Sequence, residues 1–151
     1  MTAPLLFVDT HVLLYGIDDL DPVKRDRAQG WLAACWRRQC GRVSTQVMNE
    51  FYWNARRKFS SRLTTEEARV IVRRYQNWNP WQLDQNTVET AWEAESRWQL
   101  SYGDSLMVAA AQQQGCTVLL TENLQHDQRF DGLRVVNPFV LGPELMDPPS
   151  P

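Results

Sequence analysis

Two short, uninterrupted apolar runs limit what this chain can fold into more than any other feature of its sequence. Residues 5–8 read Leu-Leu-Phe-Val, and residues 117–121 read Thr-Val-Leu-Leu-Thr. Runs of this length without polar alternation are typical of strands that are buried on both faces. Residues 42–44, 81–83 and 133–136 are further candidate strands. Because such strands need helices to cover them, the pattern predicts a mainly parallel sheet.

Helical patterns and helix-capping residues fill the segments between these strands. Asp21 followed by Pro22 predicts a helix start, and this helix runs to about Arg38 before Gly41 breaks it. The other predicted helices begin at Thr45, at the capping box Thr64-Thr65-Glu66-Glu67, near Asp84 and near Gly103, and the last ends at Gly115. The alternation predicts an α/β fold with a central, mainly parallel sheet of four to five short strands, flanked by helices on both faces.

Composition narrows the class of protein further. The chain has 151 residues, of which 43% are hydrophobic and 23% are charged, and these values fit one globular, soluble domain. We place that domain at residues 1–142 and expect a disordered, proline-rich tail at residues 143–151. No apolar run approaches the roughly 20 residues that a membrane-spanning helix needs, so we expect no association with a membrane.

The cysteines and the N-terminus favour a cytoplasmic location. The chain has three cysteines, an odd number, and no Cys-x-x-Cys pair, which argues against a disulfide framework or a zinc site. The first residues have no basic start and only a short apolar stretch, which is not typical of a signal peptide. We therefore expect reduced thiols in a cytoplasmic protein.

Three acidic residues lie where a parallel sheet holds its ligands. Asp9 follows the first strand, and ligands of such sheets bind beyond the carboxyl ends of the strands, although an N-cap is the alternative role. Glu50 shares a helical face with Val47 and Phe51, but a core built from the neighbouring face would leave it peripheral. Asp104 stands at the start of an apolar helix, where it too has an N-cap as its alternative role.

These three acids are expected at the same edge of the sheet. Carboxylates within about 4 Å of one another repel by roughly 4 kcal/mol per pair at an effective dielectric near 20, so the cluster needs a bound cation. Carboxylate oxygens are hard ligands, which favours Mg²⁺ or Mn²⁺. His11 and His126 are alternatives for zinc, but they lack the spacing of a helical ligand pair, and surface or structural roles are favoured.

Four segments also occur in an order that is found in a known family. They read Phe-Val-Asp-Thr at 7–10, Met-Asn-Glu-Phe at 48–51, Tyr-Gly-Asp-Ser-Leu-Met-Val-Ala-Ala-Ala at 102–111 and Val-Leu-Leu-Thr-Glu-Asn at 118–123. Together they resemble PIN domains, and most closely the VapC-type toxins of bacterial toxin–antitoxin pairs. The resemblance covers the chain from Leu5 to Phe139 and implies a PIN-like fold.

The resemblance implies metal-dependent cleavage of RNA that leaves 5′-phosphate and 3′-hydroxyl ends. Asp9, Glu50 and Asp104 match three acidic positions of the family. We expect Asp9 and Asp104 to bind the principal ion together with Glu50, which would also orient or deprotonate the attacking water. Thr10 is expected to hydrogen-bond one of these carboxylates.

The fourth acidic position of the family is occupied by an amide in this chain. It falls on Asn123, within Thr121-Glu122-Asn123, and an asparagine side chain brings no negative charge. We expect Asn123 to orient a water or a second ion, which would bind less well here. Glu122 and Asp127 are nearby acids that are candidates to compensate.

The resemblance also implies partners: an RNA substrate, a cognate antitoxin protein and a second copy in a homodimer. The net charge is −2, but basic residues cluster in the first half of the chain. Candidates for contact with the RNA backbone are Arg56, Arg57, Lys58 and Arg62, with solvated helix faces as the alternative. Trp31, Trp92 and Trp98 have the spacing of core residues, so we assign no tryptophan to RNA.

Three other functions are alternatives to a ribonuclease. The first is a PIN module that binds RNA or a protein partner with weak or no catalysis, because Asn123 replaces an acid. The second is a phosphatase of the haloacid-dehalogenase type, which is disfavoured because Asp9-Thr10-His11 lacks the second aspartate of Asp-x-Asp. The third is a nuclease that acts on DNA, although the chain offers no obvious element for gripping a duplex.

Overall fold

The computed structural model describes residues 4–59 and 62–147, which form an α/β fold. The strands are β1 (Leu6–Val8), β2 (Gly41–Arg42), β3 (Val118–Leu120), β4 (Arg129–Phe130) and β5 (Leu133–Val136). The helices are α1 (Thr10–Tyr15), α2 (Pro22–Arg38), α3 (Thr45–Lys58), α4 (Thr65–Tyr75), α5 (Gln85–Trp98) and α6 (Tyr102–Gln113). In none of these helices are length and apolar character sufficient to span a bilayer.

The five strands form one sheet with the order β2-β1-β3-β5-β4. The β1–β2, β1–β3 and β3–β5 pairs are parallel, and β4 is antiparallel to β5 at the edge. The core strands β1 and β3 are almost wholly buried, as their continuous apolar runs predict. The predicted fold class, a mainly parallel sheet of four to five short strands with flanking helices, is confirmed.

Several helix ends lie where their capping residues predict. The Asp21 carboxylate accepts a hydrogen bond from the Lys24 N–H at 3.2 Å, and Pro22 opens α2. Thr64 and Glu67 form the reciprocal capping box at the start of α4. These side chains satisfy backbone N–H groups that have no partner within the helix.

One helix start and one helix stop signal differ from the prediction. The N-cap of α3 is Ser44 rather than Thr45. Helix α2 ends at Arg38, as predicted, but its C-cap is Gln39 in a left-handed conformation (φ 55°), whereas Gly41 begins β2. The Trp78 ring packs against Gly41 so closely that a Cβ there would lie 2.5 Å from it. This glycine is therefore required by packing and does not break the helix.

The prediction of a strand at residues 81–83 is wrong. Trp81 alone pairs, in an isolated parallel bridge with Ser44. Pro80 has no N–H group with which to extend the pairing, and Asp84 already caps the next helix. The pairing therefore stops at Trp81.

Strand β4 was not predicted, although the sequence contains a cue for it. It forms a hairpin with β5, in which Phe130 pairs with Leu133. The two residues between them are Asp131 and Gly132, and Asp131 adopts a left-handed conformation (φ 57°). An Asp-Gly pair between short strands is typical of a two-residue hairpin turn.

The expected disorder of the C-terminal tail is wrong for its first part. Residues Pro143–Met146 form a 3-10 helix that packs against α2. Met146 is buried, and its carbonyl accepts a hydrogen bond from the Arg38 guanidinium at 2.8 Å. Residues 148–151 lie outside the described residues, and the boundary at residue 142 stays a prediction.

The tryptophans with core spacing do not all lie in the core. Trp31 is fully buried and Trp98 packs partly buried against the core. Trp92 is instead 48% exposed, so its assignment to the core is wrong. Helix α5 packs on α6 and buries the small residues Ala91 and Ala94, which turns Trp92 outward.

Candidate active site

The candidate active site begins where β1 and β3 end side by side. Val8 pairs with Leu120 in parallel register, so the next residues, Asp9 and Thr121, meet at one edge of the sheet. The Asp9 N–H donates to the Leu120 carbonyl at 3.1 Å, and the Thr121 hydroxyl donates to Asp9 Oδ2 at 2.8 Å. The predicted meeting of the two strand ends is confirmed.

Asp9 does not act as a helix cap. It occupies the N-cap position of α1, but its side chain makes no capping hydrogen bond. The side chain is instead buried, with 2% of the residue exposed. Burial raises the pKa of the Asp9 carboxyl, the Thr121 hydrogen bond and the nearby His11 lower it, and the charge of Asp104 raises it.

The Asp9 carboxylate has little positive charge around it. Among the described residues, the one basic side chain within 4.0 Å is His11, whose Nδ1 lies 4.0 Å from Asp9 Oδ2. No lysine or arginine among residues 4–59 and 62–147 pairs with Asp9. A buried carboxylate without a cationic partner is costly, and a metal ion would supply the missing charge.

Glu50 is tied to the same edge through its neighbours. Its Oε2 accepts a hydrogen bond from the Thr10 hydroxyl at 2.9 Å, and Thr10 directly follows Asp9. Glu50 is half-buried at the border of the core face of α3. That face consists of Val47, Met48, Phe51 and Ala55. Both predicted helical faces therefore contribute to the core, and Glu50 lies beside them with its carboxylate accessible.

Gln46 is a site residue that the sequence analysis missed. Its Nε2 donates to Glu50 Oε1 at 3.1 Å and to the Gly103 carbonyl at 3.2 Å. Gly103 directly precedes Asp104, so this one amide connects α3 with the start of α6. Gln46 and Glu50 are four residues apart on one helix face, which is the only sequence cue for this contact.

Asp104 is a half-buried acid whose carboxylate is free. The N-cap of α6 is Ser101, whose hydroxyl accepts a hydrogen bond from the Asp104 N–H at 3.2 Å, so an N-cap role for Asp104 is wrong. Within residues 4–59 and 62–147, its carboxylate makes no hydrogen bond or ion pair. The charge of Asp104 is close enough to Asp9 to raise the pKa of that carboxyl.

The three acids converge on one edge without forming a tight cluster. Across the described ranges, no three or more Asp, Glu, His or Cys side chains are arranged so that they could hold an ion as they stand. The charge of Asp104 acts on the pKa of Asp9, whereas the Glu50 carboxylate accepts hydrogen bonds from Thr10 and Gln46. An ion at this edge would therefore draw the side chains closer together.

Asn123 is exposed and faces Asp9 with its amide nitrogen. Its Nδ2 lies 3.3 Å from Asp9 Oδ2 and 3.3 Å from His11 Nδ1, while its backbone N–H donates to the Thr121 hydroxyl at 3.1 Å. The amide thus donates a hydrogen bond to Asp9 where an aspartate would add a second negative charge. A role for Asn123 toward a water or a second ion stays a prediction.

Asn123→Asp is expected to raise the affinity for Mn²⁺ about ten-fold, because the number of charged ligands tunes the affinity of oxygen sites. It should also lower the Tm of the metal-free protein, since two carboxylates would then face each other. Titration calorimetry and thermal melts in EDTA measure both. Asn77→Asp, beside Gln39 and Arg42 near the start of β2, is the matched control. Equal Mn²⁺ affinities of the Asn123→Asp and control variants would contradict the prediction.

Neither nearby acid is free to replace the missing charge. Glu122 accepts hydrogen bonds from the Tyr15 hydroxyl at 2.6 Å and from the Lys24 ammonium at 2.9 Å. Burial alone would raise the pKa of the Glu122 carboxyl, but these hydrogen bonds outweigh burial and hold that pKa below its usual range. Asp127 is exposed and pairs with Arg134 at 2.6 Å. Both acids therefore have partners away from Asp9.

Comparison with known proteins identifies a family for most of the chain. A family model described as "PIN domain" matches residues 6–131. A search of curated proteins finds no significant match.

Solved structures with a similar fold come from several bacteria. A toxin–antitoxin complex from Klebsiella pneumoniae has a TM-score of 0.63 and 21% identity, covering 89% of this chain and 97% of that one. The toxin VapC20 of Mycobacterium tuberculosis, which cleaves the sarcin-ricin loop, has a TM-score of 0.55 and 18% identity. The match covers 76% of this chain and 86% of that one. VapBC2 from Rickettsia felis, bound to a promoter DNA fragment, has a TM-score of 0.57 and 13% identity, covering 87% and 96%. At these identities, the similarity shows a shared fold.

Proposed function

We propose that this chain, which belongs to the PIN domain family, is a metal-dependent endoribonuclease that hydrolyses RNA phosphodiester bonds. One observation carries the proposal. The buried Asp9 carboxylate has no lysine or arginine partner among the described residues, and it lies at the sheet edge that Glu50 and Asp104 share. A buried carboxylate that lacks a lysine or arginine partner and lies near two further acids favours a bound cation, and the three side chains would move closer together to hold it.

The residues at this edge fit Mg²⁺ or Mn²⁺. Asp9 and Asp104 offer carboxylate oxygens, which these hard ions prefer, and Glu50 completes the proposed ligand set. When bound, the ion neutralises charge on the phosphate and makes a water a better nucleophile. His126 offers no zinc alternative here, because its Nδ1 accepts a hydrogen bond from the Asn137 N–H at 3.0 Å.

The chain's own groups position the reaction. The Thr121 hydroxyl holds Asp9 in place, and Thr10 and Gln46 hold the two oxygens of Glu50. In the proposed reaction, Glu50 orients the attacking water and takes its proton. The water attacks the phosphate in line, the bond between phosphorus and the 3′ oxygen breaks, and that oxygen takes a proton from solvent, so the products carry 5′-phosphate and 3′-hydroxyl ends. Asn123 orients a water beside Asp9.

Basic residues near the end of α3 are proposed to bind the RNA backbone. Arg56, Arg57, Lys58 and Arg62 are all exposed. Arg62 forms an ion pair with the Asp18 carboxylate at 3.9 Å. Contacts from such residues hold the substrate by its phosphates and do not select its sequence.

The fold similarity to toxins supports a more specific proposal. We propose that the protein is the toxin of a toxin–antitoxin pair, that it acts on cytoplasmic RNA, and that a cognate antitoxin protein controls it. A homodimer is part of the same proposal. One of the similar structures is a toxin–antitoxin complex, and another is a toxin that cleaves the sarcin-ricin loop.

A binding module without catalysis is the second candidate, and one observation favours it. The Asn123 amide donates to Asp9, so the site carries one acid fewer than the family pattern and partly satisfies Asp9 without an ion. Such a module would bind RNA or a protein partner at the same edge and would not cut.

Incubation of single-stranded RNA with the purified protein tests the proposal. We expect cleavage in Mn²⁺ or Mg²⁺ and a loss of about a hundred-fold or more in EDTA, because the ion supplies most of the charge stabilisation. A DNA oligonucleotide of the same sequence should stay intact. RNA binding without cleavage in either ion would contradict the enzyme and support the binding module.

A further inference from the structure

We propose that Trp53 is a base-stacking residue that positions the RNA beside the cleaved bond. The inference rests on the proposed function, since it concerns the substrate of the same site. Trp53 lies on α3 and is 58% exposed, which is unusual for the largest aromatic side chain. An exposed indole offers a broad, rigid surface for stacking a base.

The position of Trp53 on α3 connects it to the acidic edge. At 100° per residue, Gln46, Glu50, Trp53 and Arg57 fall within an arc of about 60° on the helix. Trp53 is only about 4.5 Å further along the helix axis than Glu50. Helical side chains lean toward the N-terminus, and this tendency would direct the ring toward the turn that carries Glu50.

Arg57 adds a positive charge to this aromatic platform. Its guanidinium lies 5.7 Å from the centre of the Trp53 ring, within the range of a cation–π contact. Arg57 is exposed and forms no ion pair within the described part of the chain. A base stacked on the ring would thus have its phosphate close to a free guanidinium, the combination that single-stranded nucleic acids need.

The surroundings of Trp53 favour RNA over a protein partner. Its neighbours on the helix, Asn49, Glu50, Asn54 and Arg56, are polar, so this turn of α3 does not form the apolar patch that marks protein interfaces. Trp92 on α5 provides the contrast. It is similarly exposed, at 48%, but Glu89 and Glu93 lie beside it with no lysine or arginine within four residues, whereas Trp53 has two arginines beside its one glutamate.

Binding of a fluorescein-labelled single-stranded RNA to full-length Asp9→Asn protein, which does not depend on cleavage, tests the proposal. Adding Trp53→Ala is expected to weaken binding about ten-fold or more, as the loss of one stacked base does. Trp53→Phe should restore most of the affinity, because a smaller ring still stacks. Trp92→Ala is the matched control and should bind like the parent.

A kinetic readout separates stacking from a structural effect. In the active protein, Trp53→Ala should raise KM about ten-fold with little change in kcat, because the stacking holds ground state and transition state alike. The melting temperature should not change, since the side chain is exposed. A loss in kcat and Tm together would show a structural role and overturn the proposal.

The remaining outcomes are equally informative. If Trp53→Ala binds RNA as tightly as Trp92→Ala, the proposal is wrong. If it instead changes the oligomeric state in size-exclusion chromatography with RNA affinity intact, Trp53 belongs to a protein interface and the proposal is also wrong. If the wild-type protein binds RNA through Trp53 but never cuts, the stacking role stands and the nuclease proposal fails. If the wild-type protein does not bind RNA, both fail.

Discussion

Asp9→Asn is expected to lower the rate of RNA cleavage by about a thousand-fold or more, because it removes the central charged ligand of the proposed ion. The amide keeps the size and shape of the side chain, so the fold should be unchanged. Cleavage of single-stranded RNA in saturating Mn²⁺ measures the effect. Asp127→Asn is the matched control, since it changes an exposed acid that pairs with Arg134, and it should cut at the wild-type rate.

The same variant should be more stable than the wild-type protein when metal is absent. Burial raises the pKa of the Asp9 carboxyl, so the native state binds this proton more tightly than the unfolded state does. The stability linked to Asp9 is therefore full below its unfolded pKa and is lost as the pH rises through the raised native pKa. Above the native pKa, the ionised buried carboxylate lowers the free energy of unfolding, and the neutral amide does not.

Thermal melts at neutral pH measure this difference. In EDTA, Asp9→Asn is expected to have the higher Tm. Excess Mn²⁺ should raise the Tm of the wild-type protein, since an ion that binds the folded state alone stabilises it by about 2.7 kcal/mol at one hundred times its Kd. Excess Mn²⁺ should not raise the Tm of Asp9→Asn.

The cleavage prediction has its own contradicting result. Full RNA-cleavage activity of Asp9→Asn would show that the reaction does not depend on Asp9.

Trp31→Ala is expected to destabilise the protein by about 3–5 kcal/mol, the usual cost of removing a large aromatic side chain from a core. Trp31 is fully buried on α2. Its indole N–H also donates to the carbonyls of Pro138 at 3.2 Å and Leu141 at 3.1 Å. The substitution thus opens a cavity and leaves two carbonyls of the C-terminal segment without a donor.

Urea denaturation, followed by circular dichroism, measures the loss in free energy of unfolding. Trp31→Phe keeps most of the ring but loses the N–H, so its loss should be smaller. Trp92→Ala, at a 48% exposed position, should change stability by no more than about 0.5 kcal/mol. An equal effect of Trp31→Ala and Trp92→Ala would show that the C-terminal segment does not depend on the Trp31 contact.

The parts of the fold that were predicted correctly have strong local patterns. The runs that became β1 and β3 are buried on both faces, and their shortness favours strands over helices. Their parallel pairing then places Asp9 beside Thr121. The cap at Asp21 and the capping box at Thr64 are equally local, since each involves residues only three positions apart.

The missed features depend on contacts between distant segments. No local pattern shows that Gln46 would reach Gly103, 57 residues later. The ordering of the tail by Met146 and Arg38 likewise joins residues 108 positions apart. The exposure of Trp92 depends on which face of α5 packs on α6. The face with the small alanines packs there, whereas we expected the face with the larger ring.

The three candidate acids could be picked out from the sequence, and their role at an ion stays a prediction, but their hydrogen-bond partners could not be predicted. The convergence of residues 9, 50 and 104 follows from strand ends and helix starts in a parallel sheet. Whether each carboxylate is free depends on side-chain hydrogen bonds. These hold Glu50 and Glu122 but leave Asp104 without a partner among the described residues.

The most direct test of a shared cation site is an anomalous-difference map from a crystal soaked in Mn²⁺. We predict a peak within about 2.5 Å of carboxylate oxygens of both Asp9 and Asp104, with the Glu50 side chain turned toward it. The Asp9→Asn crystal, soaked in the same way, should lack that peak. Well-ordered wild-type side chains without a peak between them, or an ion bound at another surface, would contradict the central claim.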